Sequence, residues 1–200
     1  MIINQYIILK DKETKLPYLC KIKECKWNNK LNSYKKIVDF FNHTFYMNLA
    51  DEEYVYILSL DMQMQPIGIF QVSHGTASTS YCNKREVALF LVLSGANNFI
   101  LLHNHPSGVV KMSEDDMASI NEIQKVATTL GVNYVQDLVI GGDKFNNGIY
   151  CEELDTDEMN MNDINENEFL YDREDDNWLP FGLHKDEEDE EDEEDDGLPF

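Results

Sequence analysis

The stretch FILLHNHPSGVVKMSEDD, residues 99–116, decides how this chain is read. Its first four residues, Phe99–Leu102, are wholly apolar and too short for a helix, so they predict a buried strand. His103 and His105 follow at i and i+2. At a strand end, residues two apart point the same way, so both imidazoles can face one ion. Pro106 and Gly108 make the next segment, His103–Met112, a loop. Ser113 then opens a long helix as its N-cap, with Glu114, Asp115 and Asp116 in the first turn, where the helix dipole favours negative charge. From there the Asp116 carboxylate can swing toward the two histidines. Two imidazoles and one carboxylate leave a fourth tetrahedral position for water, which is the open arrangement of a catalytic zinc site. The borderline donor set suits Zn²⁺ better than Ca²⁺ or Mg²⁺. The candidate metal ligands are therefore His103, His105 and Asp116. Ser113 is a candidate both as N-cap and as a hydrogen-bond donor beside that water.

Working outward, the long helix runs to Leu130 and Gly131 ends it. Strands follow at Tyr134–Ile140 and Phe145–Tyr150. Upstream, Asn83 caps a helix over Lys84–Ser94 that Gly95 stops. Its apolar residues leave few polar positions after the first turn, which predicts a largely buried helix. Tyr54–Leu60 and Ile67–Val72 read as strands joined by Asp61–Pro66. Ser33–Met47 places Ile37, Phe40, Phe41, Phe45 and Tyr46 on one helical stripe. Ile2–Lys10 and Leu16–Lys23 read as a strand pair. The mixed order of strands and helices with crossovers predicts an α/β domain with a sheet flanked by helices.

Charge divides the chain sharply. The first 150 residues hold 15 acidic and 14 basic residues. Residues 151–200 hold 23 acidic and 2 basic, nearly all of the net charge of −22. Such a composition cannot bury enough apolar surface to order itself, so residues 151–200 are expected to form a disordered acidic tail. It would repel phosphate, which excludes direct nucleic-acid binding by the tail. No apolar run reaches the roughly 18 residues of a membrane span. Four cysteines, Cys20, Cys25, Cys82 and Cys151, do not make a disulfide framework, and a cytoplasmic chain with reduced thiols is expected. Cys20 and Cys25 lack the second pair that a zinc site there would need.

The pattern H-x-H, seven residues, S-x-x-D resembles the metal signature of the JAB/MPN domains, the JAMM motif. With HNHPSG, GTASTSYCNKREV upstream and QDLVIGG downstream, residues 51–150 resemble the RadC-like branch, with residues 1–50 as an N-terminal strand pair and helix. The resemblance implies a three-layer, cytidine-deaminase-like fold with a curved mixed sheet. It also implies a zinc-dependent peptidase or isopeptidase activity, with His103, His105 and Asp116 on the zinc and Ser113 stabilising the oxyanion. One departure stands out. Where the family pattern resembles F-E-V-S-x-G-T, this chain reads Phe70-Gln71-Val72-Ser73-His74-Gly75-Thr76, so Gln71 takes the position of the general base. An amide cannot exchange protons at neutral pH, and losing a general acid–base costs about 10²–10⁴-fold in rate. His74, close by, is a further candidate for the cleft.

The sequence closes on an acidic run, 186–196, and Gly197-Leu198-Pro199-Phe200; Leu179-Pro180-Phe181 repeats the motif after another acidic run. This resembles the C-terminal peptide of bacterial single-stranded DNA-binding proteins, which docks on DNA replication and repair proteins. The resemblance implies an aromatic ring in an apolar pocket, a carboxylate on a basic residue, and acidic residues steering the approach. Two functions are therefore expected: a metallopeptidase linked to DNA repair or replication, or a non-catalytic zinc-binding adaptor that uses this tail.

Overall fold

The computed structural model describes residues 1–75 and 83–148, and the backbone of 151–153. Its strands are β1 (Ile2–Lys10), β2 (Pro17–Lys26), β3 (Glu53–Leu60), β4 (Pro66–Gly75), β5 (Asn98–Asn104), β6 (Asn133–Gly141), β7 (Lys144–Asn146) and β8 (Cys151–Glu153). The helices are α1 (Tyr34–Phe45), α2 (Lys84–Ser94) and α3 (Glu114–Leu130). The strands form one mixed sheet in the order β2-β1-β4-β3-β5-β6-β7-β8. β1 with β4 and β5 with β6 run parallel; the other neighbours are antiparallel.

Alternation along the strands builds three layers. Leu58, Ile100, Leu102, Leu138 and Ile140 pack with Ile37, Phe40 and Phe41 of α1. Ile57, Phe99 and Leu101 face the other way, onto Val87, Phe90 and Leu91 of α2 and Ile123 and Ala127 of α3. Each inner strand is thus buried on both faces, which explains its nearly continuous apolar composition. The caps fall where side-chain chemistry places them. The hydroxyl of Ser33 accepts from Lys36 N and the side chain of Asn83 from Arg85 N, while Gly95 and Gly131 close α2 and α3 in the left-handed region.

Four expectations change. The strand expected over Phe145–Tyr150 is the shorter β7, Lys144–Asn146, and the chain leaves the strand before Gly148, which takes the left-handed conformation. β5 runs on through His103 and Asn104 rather than ending at Leu102, because His103 still pairs with Val55 and Val139, and Asn104 with Ile140 of β6. α2 buries only Val87, Phe90 and Leu91, leaving Val92 and Leu93 exposed, because the sheet covers one side of it and α3 only part of the rest. Cys151–Glu153, assigned by composition to the acidic tail, is a strand pairing with β7. Backbone pairing there needs no apolar side chains. The segment 76–82 and residues 154–200, including Leu179-Pro180-Phe181 and Leu198-Pro199-Phe200, lie outside the described residues. Among the described residues no helix is long and apolar enough to cross a membrane.

Candidate metal centre

β5 sits between β3 and β6, so its end is enclosed on both sides. His103 continues the row of Phe99 and Leu101 toward α3 and is 4% exposed. His105 N donates to the Ile140 carbonyl at 2.8 Å, and Gly108 N donates back to the His105 carbonyl at 2.9 Å. This tight turn rests on the end of β6. A Cβ at Gly141 would lie 2.7 Å from the Gly108 carbonyl oxygen, so only glycine lets the histidine loop come this close.

α3 supplies the third group. Ser113 and Asp116 form a capping box: the Ser113 hydroxyl accepts from Asp116 N at 3.1 Å, and Ser113 N donates to Asp116 Oδ2 at 2.7 Å. The hydroxyl also donates to Asp116 Oδ2 at 2.6 Å. The same oxygen lies 3.4 Å from His105 Nε2 and 3.9 Å from His103 Nε2. One donor atom each from His103, His105 and Asp116 fall within 4.8 Å of one another. Burial works against the Asp116 carboxylate, but the two hydrogen bonds from Ser113 and the facing histidines outweigh it and lower its pKa.

The far nitrogens of both rings are engaged. His105 Nδ1 lies 2.6 Å from the Val109 carbonyl oxygen, which can only accept, so that nitrogen carries the proton and Nε2 is left with its lone pair. His103 Nδ1 lies 3.4 Å from Oδ1 of Asp137, a β6 residue only 1% exposed whose carboxylate oxygens have no hydrogen-bond partner among the described residues. Burial alone would lower the His103 pKa; the carboxylates of Asp137, Asp116 and Glu53 outweigh burial and raise it. His103 Nε2 is buried and has no hydrogen-bond partner among the described residues. A buried, unmet imidazole nitrogen aimed at a second imidazole and a carboxylate is what a metal ligand looks like without its ion. The three side chains fit zinc.

A fourth group was not singled out from sequence. Glu53, at the start of β3, is 4% exposed and lines a cleft with His103, Asp116, Asp137, Ser73 and Ser119. Burial raises its pKa first and the Asp116 charge adds to that, while the two histidines oppose. The signal was present in the strand alternation: Glu53, Val55 and Ile57 share a face, and Ile57 packs toward α2 and α3.

Gln71 lies elsewhere. A register shift makes Val55 face Ser73 while Tyr56 faces Gln71. Ser73 thereby lines the cleft, whereas Gln71 accepts from the Tyr56 hydroxyl at 3.2 Å, on the α1 side of the sheet. Counting back from Gly75 misses the extra residue that this irregularity inserts. His74 is exposed, stacks on Tyr54 at 4.4 Å between ring centroids and pairs with Glu52.

A family model described as the RadC-like JAB domain matches residues 31–148. The chain belongs to this family. The matched span takes in α1 and every residue of the candidate site, from Glu53 to Asp137, while omitting β1 and β2. A UPF0758 protein of Porphyromonas gingivalis is 35% identical over 99 residues, covering 50% of this chain and 43% of its own length. One from Staphylococcus epidermidis is 29% identical over 99 residues, 50% of this chain and 44% of its own. One from Pelobacter propionicus is 27% identical over 117 residues, 58% of this chain and 50% of its own. The RadC-like chain therefore spans about half the length of the curated relatives it matches.

Proposed function

We propose that this chain is a zinc-dependent hydrolase of amide bonds, peptide or isopeptide, with Glu53 as the proton-transfer group. The observation that carries the reading is the convergence of His103, His105 and Asp116 with a buried glutamate beside them in one cleft. His103, His105 and Asp116 would hold the metal. Zinc, when bound, supplies a Lewis acid that polarises a carbonyl and makes water nucleophilic at neutral pH. Glu53 takes the proton from the attacking water and hands it to the leaving amine. Burial in the cleft raises its pKa in the metal-free site, and a bound dication would favour the ionised form that accepts the proton. Ser113 holds Asp116 in place, and its hydroxyl proton is already committed to Asp116 Oδ2. Val55, Leu101, Ile120 and Ile123 line the cleft with Glu53 and provide an apolar wall that keeps bulk water away.

The test is metal content together with hydrolysis of a quenched-fluorescent peptide library. Assayed at saturating zinc, Glu53→Gln is expected to lower the rate at least 10²-fold. Undiminished hydrolysis by this variant would overturn the assignment. Gln71→Glu is expected to leave the rate unchanged.

A second reading is favoured by the uneven charge and the repeated Leu-Pro-Phe. We infer that residues 186–200 dock on DNA replication or repair proteins that recognise the tails of single-stranded DNA-binding proteins. In this reading the domain serves as a zinc-binding adaptor, whether or not it hydrolyses anything.

A further inference from the structure

Asn104 lies between the two candidate metal ligands, yet its side chain serves neither of them. It is 1% exposed, and both ends of its amide are used. Nδ2 donates to the Glu52 carbonyl at 2.9 Å, and Oδ1 accepts from Tyr54 N at 2.8 Å. These are the two backbone groups that flank Glu53.

The need for them follows from the sheet. The β3–β5 ladder runs from the Leu60–Asn98 pair to the Val55–His103 pair and ends there. Beyond it the β5 chain follows β6: Asn104 is opposite Ile140, and His105 N donates to the Ile140 carbonyl. The end of β3 would then lose its β5 partner just where it must present a buried carboxylate, and unmet backbone groups there are costly. A primary amide offers one acceptor and a donor side by side, as a peptide unit does. We propose that Asn104 is a positioning residue for Glu53. Its side chain stands in for the missing rung, holds the backbone on both sides of Glu53, and so fixes that carboxyl against the histidines.

The residue type fits the task closely. Aspartate keeps the acceptor for Tyr54 N but has no donor for the Glu52 carbonyl. A serine hydroxyl is too short to span both groups. The proposal rests on the reading of Glu53 as the proton-transfer group, but its geometry does not, so the two can fail separately.

The experiment is a double-mutant cycle on the full chain, read by zinc affinity in a competition titration with Zn²⁺ alone and by hydrogen exchange at the Tyr54 amide. Glu53→Gln removes a negative charge facing the histidines and is expected to weaken zinc binding several-fold. Asn104→Ala should weaken it by a similar factor, and the double variant by no more than the larger single effect. Tyr54 should exchange at least tenfold faster in Asn104→Ala. Asn104→Asp keeps the volume and one bond, so it reports where the alanine variant fails to fold; Tyr54 should stay protected in it while zinc binding changes. Losses that multiply in the double variant, or a Tyr54 amide indifferent to Asn104→Ala, overturn the proposal. A Glu53→Gln protein that hydrolyses peptide at the wild-type rate instead overturns the functional reading, and the Tyr54 exchange result still decides whether the clamp exists.

Discussion

At the scale of single residues, the proposed function separates groups that would hold a metal from groups that would aim them. Asp137 is the clearest of the second kind. It is a buried carboxylate whose oxygens have no hydrogen-bond partner among the described residues, and His103 Nδ1 lies 3.4 Å from it. Its negative charge favours the tautomer with the proton on Nδ1, which frees Nε2 for a metal. Replacing Asp137 by alanine is therefore expected to weaken zinc binding by about 10–100-fold, the usual cost of removing such a partner. Asparagine keeps an acceptor and should lose less. Competition titration of both variants checks this, and equal affinities for Asp137→Ala and wild type would remove Asp137 from the site. Glu53 shows how a decisive residue escaped the sequence reading. Strict alternation along β4 from Gly75 leads to Gln71, which the register shift turns to the other face. Glu53 belongs to a different strand, and only the pairing of β3 with β5 brings it beside His103.

At the scale of elements, the unit of function is β5, the turn after it and the first turn of α3. This unit was legible because three independent signals agreed along one stretch: an apolar strand, paired histidines with Pro106 and Gly108, and a capping serine three residues before an aspartate. What escaped was anything that depended on neighbours in the sheet, such as the length of β5, the exposed side of α2 and the short β8. The capping box serves both the helix and the site, since Ser113 holds the Asp116 oxygen nearest the histidines. Ser113→Ala should thus cost about 1 kcal/mol of stability from the lost cap, visible in a denaturant titration. It should also weaken zinc binding, because Asp116 loses one of the two bonds from Ser113 that aim it. A variant with the stability loss but wild-type zinc affinity would confine Ser113 to capping. Gly141→Ala tests the other side of the same unit. Its new Cβ would meet backbone at 2.7 Å, so the histidine loop must move. Both stability and zinc affinity are expected to fall, although residue 141 touches no ligand.

At the scale of the whole molecule, the near-neutral residues 1–150 and the strongly acidic residues 151–200 set two different kinds of experiment. For residues 1–150, a metal that binds only the native state stabilises it by mass action, by about 2.7 kcal/mol at a hundred times its dissociation constant. Chelation should lower the midpoint of thermal unfolding, and added zinc should restore it. In His103→Ala/His105→Ala protein, zinc should have no effect on the midpoint; a preserved zinc-dependent shift would place the metal elsewhere. For residues 186–200, the expectation is a binding element that acts independently of the metal. A peptide of this segment, titrated against a repair enzyme that recognises tails of single-stranded DNA-binding proteins, should bind with micromolar affinity, about −7 to −8 kcal/mol. Removing Phe200 deletes the ring and relocates the carboxylate, so affinity should fall at least tenfold. Amidating the carboxylate removes only charge and should cost less. Rising salt should act mainly on the association rate, because eleven positions of nearly continuous Asp and Glu, 186–196, attract a basic surface at long range. Equal affinity with and without Phe200 would mean that the acidic run binds by charge alone and that Leu198-Pro199-Phe200 is not a recognition element.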